Sequence, residues 1–275
     1  MFKRPEPVPS FRDRRPADDD GAQRRAPGKL VEGVSLARLL VREFRKAPEI
    51  VMLDDSRSPA AERFRRLRSL LHHDQEGSPQ VILVTSALPG EGKSTIAVNL
   101  ALAFAIDDRG DVLLLDADTR RPTVGGWFDP PPALGLREVV EHNVGLDHAI
   151  LEVKRTKLKV LPAGAPASDP VQMLASEAVA KVFVTLRERF ARIIVDSPPI
   201  VPFTDADVIG AQCDGALVVA RSGLTLRPAL QQALSSVTTT RLLGIVLNDV
   251  QFSLADRHRN YTSYYQSYYD AEKKP

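Results

Sequence analysis

Val81-Ile-Leu-Val-Thr85 is an unbroken apolar run that leads through Ala87-Leu-Pro-Gly-Glu-Gly-Lys-Ser-Thr95 into a helical pattern over 94–106. An apolar run without alternation marks a strand buried on both faces, which is the habit of strands in parallel sheets. Similar runs recur at 112–115, 193–195, 216–220 and 244–247, with a weaker one at 158–161. Helical patterns separate them at 170–190, with a break near Ser176, and at 205–211 and 227–238. Strands alternating with helices predict an α/β fold, a mostly parallel sheet with helices on both faces.

The ends read differently. Residues 1–33 mix Pro, Arg and Asp without apolar periodicity, a composition that cannot offset the entropy of ordering. A short amphipathic helix is expected over 36–44, and Ser58-Pro59 opens another, with Ser58 as N-cap and Pro59 in the first turn, running to about His72. The domain reading is a largely disordered extension over 1–50, one folded domain over 51–252 and a flexible tail over 253–275. Within that tail, Tyr261, Tyr264, Tyr265, Tyr268 and Tyr269 are all five tyrosines of the 275-residue chain.

Composition narrows the function classes. A net charge of +2 is too small to argue for nucleic acid as a partner, and a single cysteine, Cys213, suits a reducing compartment. No run approaches the roughly 18–20 apolar residues of a membrane helix, and no signal-peptide core opens the chain. The expectation is a cytoplasmic protein. The five histidines show no metal-ligand spacing.

The loop 87–95 stands between a buried strand and a helix, where backbone N–H groups and the helix N-terminus converge on an anion. This is the phosphate-binding loop of a P-loop NTPase-like fold, and it implies ATP with Mg²⁺. Gly90 and Gly92 allow close backbone approach, with Glu91 between them. Lys93 is expected at the β- and γ-phosphates, Ser94 at the metal and Thr95 beside it. Ala87 stands where the general pattern has Gly. Downstream, Asp116 and Asp118 close the second strand, where ligands of open α/β sheets bind. One of the two could hold Mg²⁺ while the other orients an incoming hydroxyl. Asp196 ends a third strand in Val195-Asp196-Ser-Pro-Pro199, and Asn248 could meet an adenine edge.

Taken together these segments resemble the bacterial tyrosine kinases (BY-kinases) of capsule and exopolysaccharide biosynthesis, over about residues 55–270. The resemblance rests on the Pro-Gly-Glu-Gly-Lys-Ser-Thr loop, Asp116-Ala-Asp-Thr-Arg-Arg-Pro122, the Val-Asp-Ser-Pro-Pro strand end and the tyrosine-rich C-terminus. Leu161-Pro-Ala-Gly164, Asp169-Pro170 and Leu174 also fit. It implies an ATP-dependent tyrosine autokinase that regulates polysaccharide synthesis and export. In that reading Lys93, Ser94 and Thr95 bind the phosphates and the metal, Asp118 and Asp196 support Mg²⁺, and Asp116 activates the tyrosine hydroxyl. The acceptors are Tyr261, Tyr264, Tyr265, Tyr268 and Tyr269. Glu62, Arg65 and Arg68, which share a helix face by their spacing, match an element implied to join subunits in a ring. The resemblance further implies a membrane protein controlling polysaccharide chain length (a co-polymerase) as activator, a cognate tyrosine phosphatase, and recruitment to the inner face of the membrane. The competing reading is a partition- or division-positioning P-loop ATPase switch. Those ATPases carry a signature lysine early in the loop, where this chain has Leu88, and have no reason to collect tyrosines.

Overall fold

The computed structural model describes residues 41–250 apart from 46, 55–56, 73–76 and 107–109. The disorder expected over 1–33, the flexible tail over 253–275 and the tyrosine cluster all lie outside the described residues. In chain order the elements are β1 (Val41–Arg42), α1 (Val51–Asp54), α2 (Pro59–His72), β2 (Val81–Ser86), α3 (Lys93–Ala105) and β3 (Val112–Asp116). A 3-10 turn (Val124–Trp127) follows, then α4 (Leu136–His142), α5 (Leu146–Ala149), β4 (Leu151–Val153) and β5 (Leu158–Leu161). The chain continues through α6 (Pro170–Leu174), α7 (Glu177–Arg189), β6 (Arg192–Asp196), α8 (Asp205–Gly210), β7 (Gly215–Arg221), α9 (Arg227–Ser236) and β8 (Leu242–Asn248).

The strands form one sheet in the order β1-β4-β5-β3-β6-β2-β7-β8, and among the described residues only β4 and β5 pair antiparallel. Alternate residues of each strand serve opposite faces, as the pleat requires. Ile82, Val84, Leu114 and Ile194 face one core with α3, and Leu83, Leu113, Ile193 and Val195 face the other with α7. Helix α3 is apolar almost all round because α2 covers the side that the sheet leaves open.

Local chemistry sets the helix starts. Ser58 Oγ accepts from Ala61 N at 3.1 Å ahead of Pro59, as the cap reading requires. The break near Ser176 is a true boundary, since Asp169 caps α6 and Ser176 caps α7 by accepting from Val179 N at 3.3 Å. The helix expected over 36–44 is overturned where the structure describes it. Val41 and Arg42 form a strand beside β4, and Phe44 bridges to Phe128 with ring centroids 4.6 Å apart. The partners that impose this strand lie more than eighty residues away in sequence, so local periodicity gives no sign of them.

Asp214 straps the amino ends of the central strands, opposite the phosphate loop. Its Oδ2 accepts from Gln80 N at 2.7 Å and Val81 N at 2.8 Å, while Arg187 Nη2 donates to Oδ1 at 2.7 Å. Burial pushes its pKa up, but Arg187 and the two backbone N–H groups outweigh that and hold the carboxyl below its usual range. Asp214→Asn should therefore lower stability by roughly 1–3 kcal/mol near neutral pH. A depressed carboxylate contributes above its unfolded pKa and loses that contribution as pH falls. The gap between the two proteins in thermal melts should therefore close below about pH 4.

Candidate active site

β2 lies near the middle of the sheet, and the segment after it carries the chain over the carboxyl ends of the strands into α3. Gly90 and Gly92 take the left-handed region, at φ 82° and 91°. Gly92 also caps α3 without any side-chain hydrogen bond, so the helix start presents backbone N–H groups suited to an anion. Its place is crowded: a Cβ there would stand 2.2 Å from Asn248 Nδ2.

The loop is held from outside. The carboxylate of Glu91 is buried, its Oε2 accepting from Leu88 N at 2.8 Å and its Oε1 accepting from the Thr225 hydroxyl. Thr225 Oγ1 in turn accepts from Arg221 N at 2.7 Å. Asn248 Nδ2 donates to Glu91 O at 2.9 Å, and Arg221 donates to Gly90 O at 3.3 Å while pairing with Asp249 at 2.8 Å. Glu91 thus acts through its side chain on the shape of the loop, and Asn248 is tied to the loop backbone. Sequence reading missed Arg221, the last residue of β7, and Thr225 and Asp249 in the turns after β7 and β8, none of which any motif marks.

Strand β6 is inserted between β2 and β3, which puts Asp196 opposite both Val84 and Asp116 in register. The structure therefore gathers residues from four sequence regions around the loop. Lys93 Nζ lies 2.9 Å from Asp118 Oδ2, 3.7 Å from Asp196 Oδ1 and 3.3 Å from Ser94 Oγ. Thr95 follows in the first turn of α3, where its carbonyl accepts from Asn99 Nδ2 at 2.8 Å. Burial alone would lower the Lys93 pKa, but Asp196, Asp118 and Asp116 together raise it, so the side chain carries its charge.

The two strand-end acids differ in environment. Asp116 has no exposed surface, its Oδ1 accepting from Asp118 N at 3.0 Å and its Oδ2 from Thr123 N at 3.2 Å and Val124 N at 3.1 Å. Burial and the neighbouring Asp196 outweigh those donors and raise its pKa to about 7. Asp196 is equally buried, and among the described residues neither of its oxygens has a partner within 3.5 Å, the Ser94 hydroxyl and the Lys93 ammonium at 3.7 Å being the polar groups that reach towards it. Burial raises its pKa to about 6, against the pull of Lys93. A buried carboxylate left this bare is costly unless a cation completes it. With Ser94 Oγ and Asp118 it makes an all-oxygen set of the hard kind that Mg²⁺ takes. Among the described residues no group of three or more His, Cys, Asp or Glu forms a metal cage, so an ion here would need further oxygens from a bound phosphate and water.

Around this centre Arg120 pairs with buried Asp205 at 2.9 Å and lies 4.5 Å from the centroid of the Phe203 ring, tying the segment after β3 to the start of α8. Glu62, Arg65 and Arg68 stand apart, on α2. Glu62 and Arg65 pair at 2.8 Å, and Arg68 Nη1 donates to Ala103 O at 3.0 Å in the last turn of α3.

No protein-family model matches the chain. The tyrosine-protein kinase YwqD of Bacillus subtilis is 30% identical over 226 residues, covering 81% of this chain and 94% of that protein. The succinoglycan biosynthesis transport protein ExoP of Rhizobium meliloti is 33% identical over 231 residues, and this chain spans 29% of its length. Among solved structures, the chimerical protein CapA2B2 superposes with a TM-score of 0.72 at 29% identity, over 77% of this chain and 94% of that one. The phosphate loop, the strand-end acids and this extent of similarity lead to one conclusion: the chain belongs to the bacterial tyrosine-protein kinase family of capsule and exopolysaccharide biosynthesis, and it is a protein-tyrosine kinase.

Proposed function

We propose that this kinase transfers the γ-phosphoryl group of ATP to its own tyrosines Tyr261, Tyr264, Tyr265, Tyr268 and Tyr269, in trans between copies arranged in a ring. The observation that carries the reading is the convergence of Lys93, Ser94, Asp118 and the bare Asp196 carboxylate beside the uncapped start of α3. Gly90, Glu91 and Gly92 give the phosphates their backbone cradle, and Lys93 neutralises the β- and γ-oxygens. Ser94, Asp118 and Asp196 would hold Mg²⁺, which when bound offsets phosphate charge as the γ-phosphoryl group transfers. Asp116, with a pKa near 7, suits a proton acceptor for the tyrosine hydroxyl. Its carboxylate is enclosed by the backbone of Thr123 and Val124, so an acceptor reaches it only when that segment yields. Asn248, at the loop, is the residue proposed to meet the adenine edge.

Each phosphate adds about −1.5 to −2 charge to the tail, and the acids of the site then repel it, which favours release. The 13 residues from Asn248 to Tyr261 span at most roughly 43 Å. That reach serves either a neighbour's site or the chain's own. Glu62, Arg65 and Arg68 are the proposed ring contact. The proposal extends to a membrane co-polymerase as activator, a cognate tyrosine phosphatase, a cytoplasmic place at the inner membrane face, and a kinase domain over 51–252, joined by β1 and the buried Ala47 and Ile50 ahead of it, between an N-terminal extension and the tyrosine tail. Among the described residues no helix is long and apolar enough to cross a membrane.

Incubation with Mg²⁺-ATP should produce phosphotyrosine confined to the tail, read by mass spectrometry. A chain carrying Lys93→Met with its tail intact should become modified when mixed with an active chain whose five tyrosines are Phe. An unmodified tail in that mixture would place transfer within one chain. ATP hydrolysis without phosphotyrosine, even with the co-polymerase present, would refute the acceptor assignment.

A further inference from the structure

The Lys93 ammonium sits within 3.7 Å of three oxygens, Asp118 Oδ2, Ser94 Oγ and Asp196 Oδ1, and those residues are the ones proposed to hold the metal. A divalent ion bound by the same three oxygens would lie too close to the ammonium. Two cations a few ångströms apart in a buried site repel by several kcal/mol at an effective dielectric near 20. One of them has to leave. The lysine side chain can do so, because its four-carbon stem is flexible and its ammonium needs only another acceptor. Phosphate oxygens over the start of α3 offer that acceptor, whereas among the described residues Lys93 is the cation paired with Asp196.

We infer that the Lys93 ammonium is a resident counter-ion occupying the metal position, so that a divalent ion binds well only after a nucleotide's phosphates draw Lys93 away. The inference rests on the assignment of Ser94, Asp118 and Asp196 as the metal set. It makes nucleotide and metal affinity mutually dependent, each strengthening the other by the same factor. It also gives Lys93 two successive partners, the acids first and the phosphates second. The free protein thereby keeps two buried carboxylates, Asp118 and Asp196, from standing without a cation.

Mn²⁺ is the probe, its free concentration read by electron paramagnetic resonance with the full chain. Wild-type protein should bind Mn²⁺ at least about tenfold more tightly with ADP than without it, after the Mn²⁺ held by ADP in a protein-free titration is subtracted. Lys93→Met should bind Mn²⁺ alone at least about tenfold more tightly than wild type, with the gain from ADP reduced. Thermal melts give a second readout: Mn²⁺ alone should raise the midpoint of Lys93→Met more than that of wild type, since only the variant has a vacant cation position. The inference is overturned if wild type binds Mn²⁺ equally well with and without ADP, a result that needs no variant. It is also overturned if Lys93→Met gains neither affinity nor Mn²⁺-dependent stability. The metal assignment itself fails separately, if Mn²⁺ binding in the presence of ADP is unchanged in both Asp118→Asn and Asp196→Asn.

Discussion

Asp196→Asn should reduce phosphotyrosine formation by on the order of a hundredfold or more while leaving the thermal midpoint of the metal- and nucleotide-free protein unchanged or higher. The carboxylate is wholly buried, has no partner within 3.5 Å among the described residues, and has Lys93 at 3.7 Å as its ion-pair partner. An anion kept in such a place opposes folding, and burial has already raised its pKa to about 6. Asparagine keeps the shape and removes the charge, so the desolvation cost disappears. Lys93 keeps its shorter contact with Asp118 at 2.9 Å. What is lost is an oxygen anion for the metal. Autophosphorylation rates and calorimetric melts on the same preparation separate the two effects. A variant that melts well below wild type would show that Asp196 serves the fold and that no stability is traded for function at this position.

Gly92→Ala should weaken nucleotide binding by about a hundredfold and lower stability by roughly 1–3 kcal/mol. Two separate causes act at this position. The φ of 91° is one that side chains with a Cβ rarely adopt, and the added carbon would stand 2.2 Å from Asn248 Nδ2. To clear it, Asn248 must give up its bond to Glu91 O, and the loop then loses its tie to the end of β8. Asn248→Ala in the same chain relieves the contact but not the backbone strain, so the double variant should recover only part of the stability. Titration with a fluorescent nucleotide and parallel melts measure both. Full recovery in the double variant would mean that the backbone conformation costs nothing, contrary to the φ argument.

The resemblance to the tyrosine kinases was legible because its motifs are short and contiguous. The loop 87–95, the Asp116 and Asp118 pair and the Asp196 strand end each lie within a few residues of a buried strand, where the physics of phosphate binding is local. The strands themselves could be read for the same reason: five of the six expected apolar runs are strands buried along nearly their whole length. The sixth is β8, at the edge of the sheet, where no described residue is fully buried and the run alone suggested more cover than exists. Short elements escaped notice. β4 has three residues and α5 four, too few for any period to stand out.

From sequence alone came the α/β alternation, the phosphate loop and the inventory of acids, because each depends on neighbours along the chain. Tertiary structure decided their relations. The insertion of β6 between β2 and β3 sets Asp196 beside Asp116 and opens it to Lys93, and no spacing along the chain encodes that order. Packing also decided that the Glu91 side chain turns inward to Leu88 and Thr225 and that Lys93 rests among the metal oxygens. These outcomes turn on burial and on distances between residues far apart in sequence, quantities that exist only once the sheet has closed over its two cores.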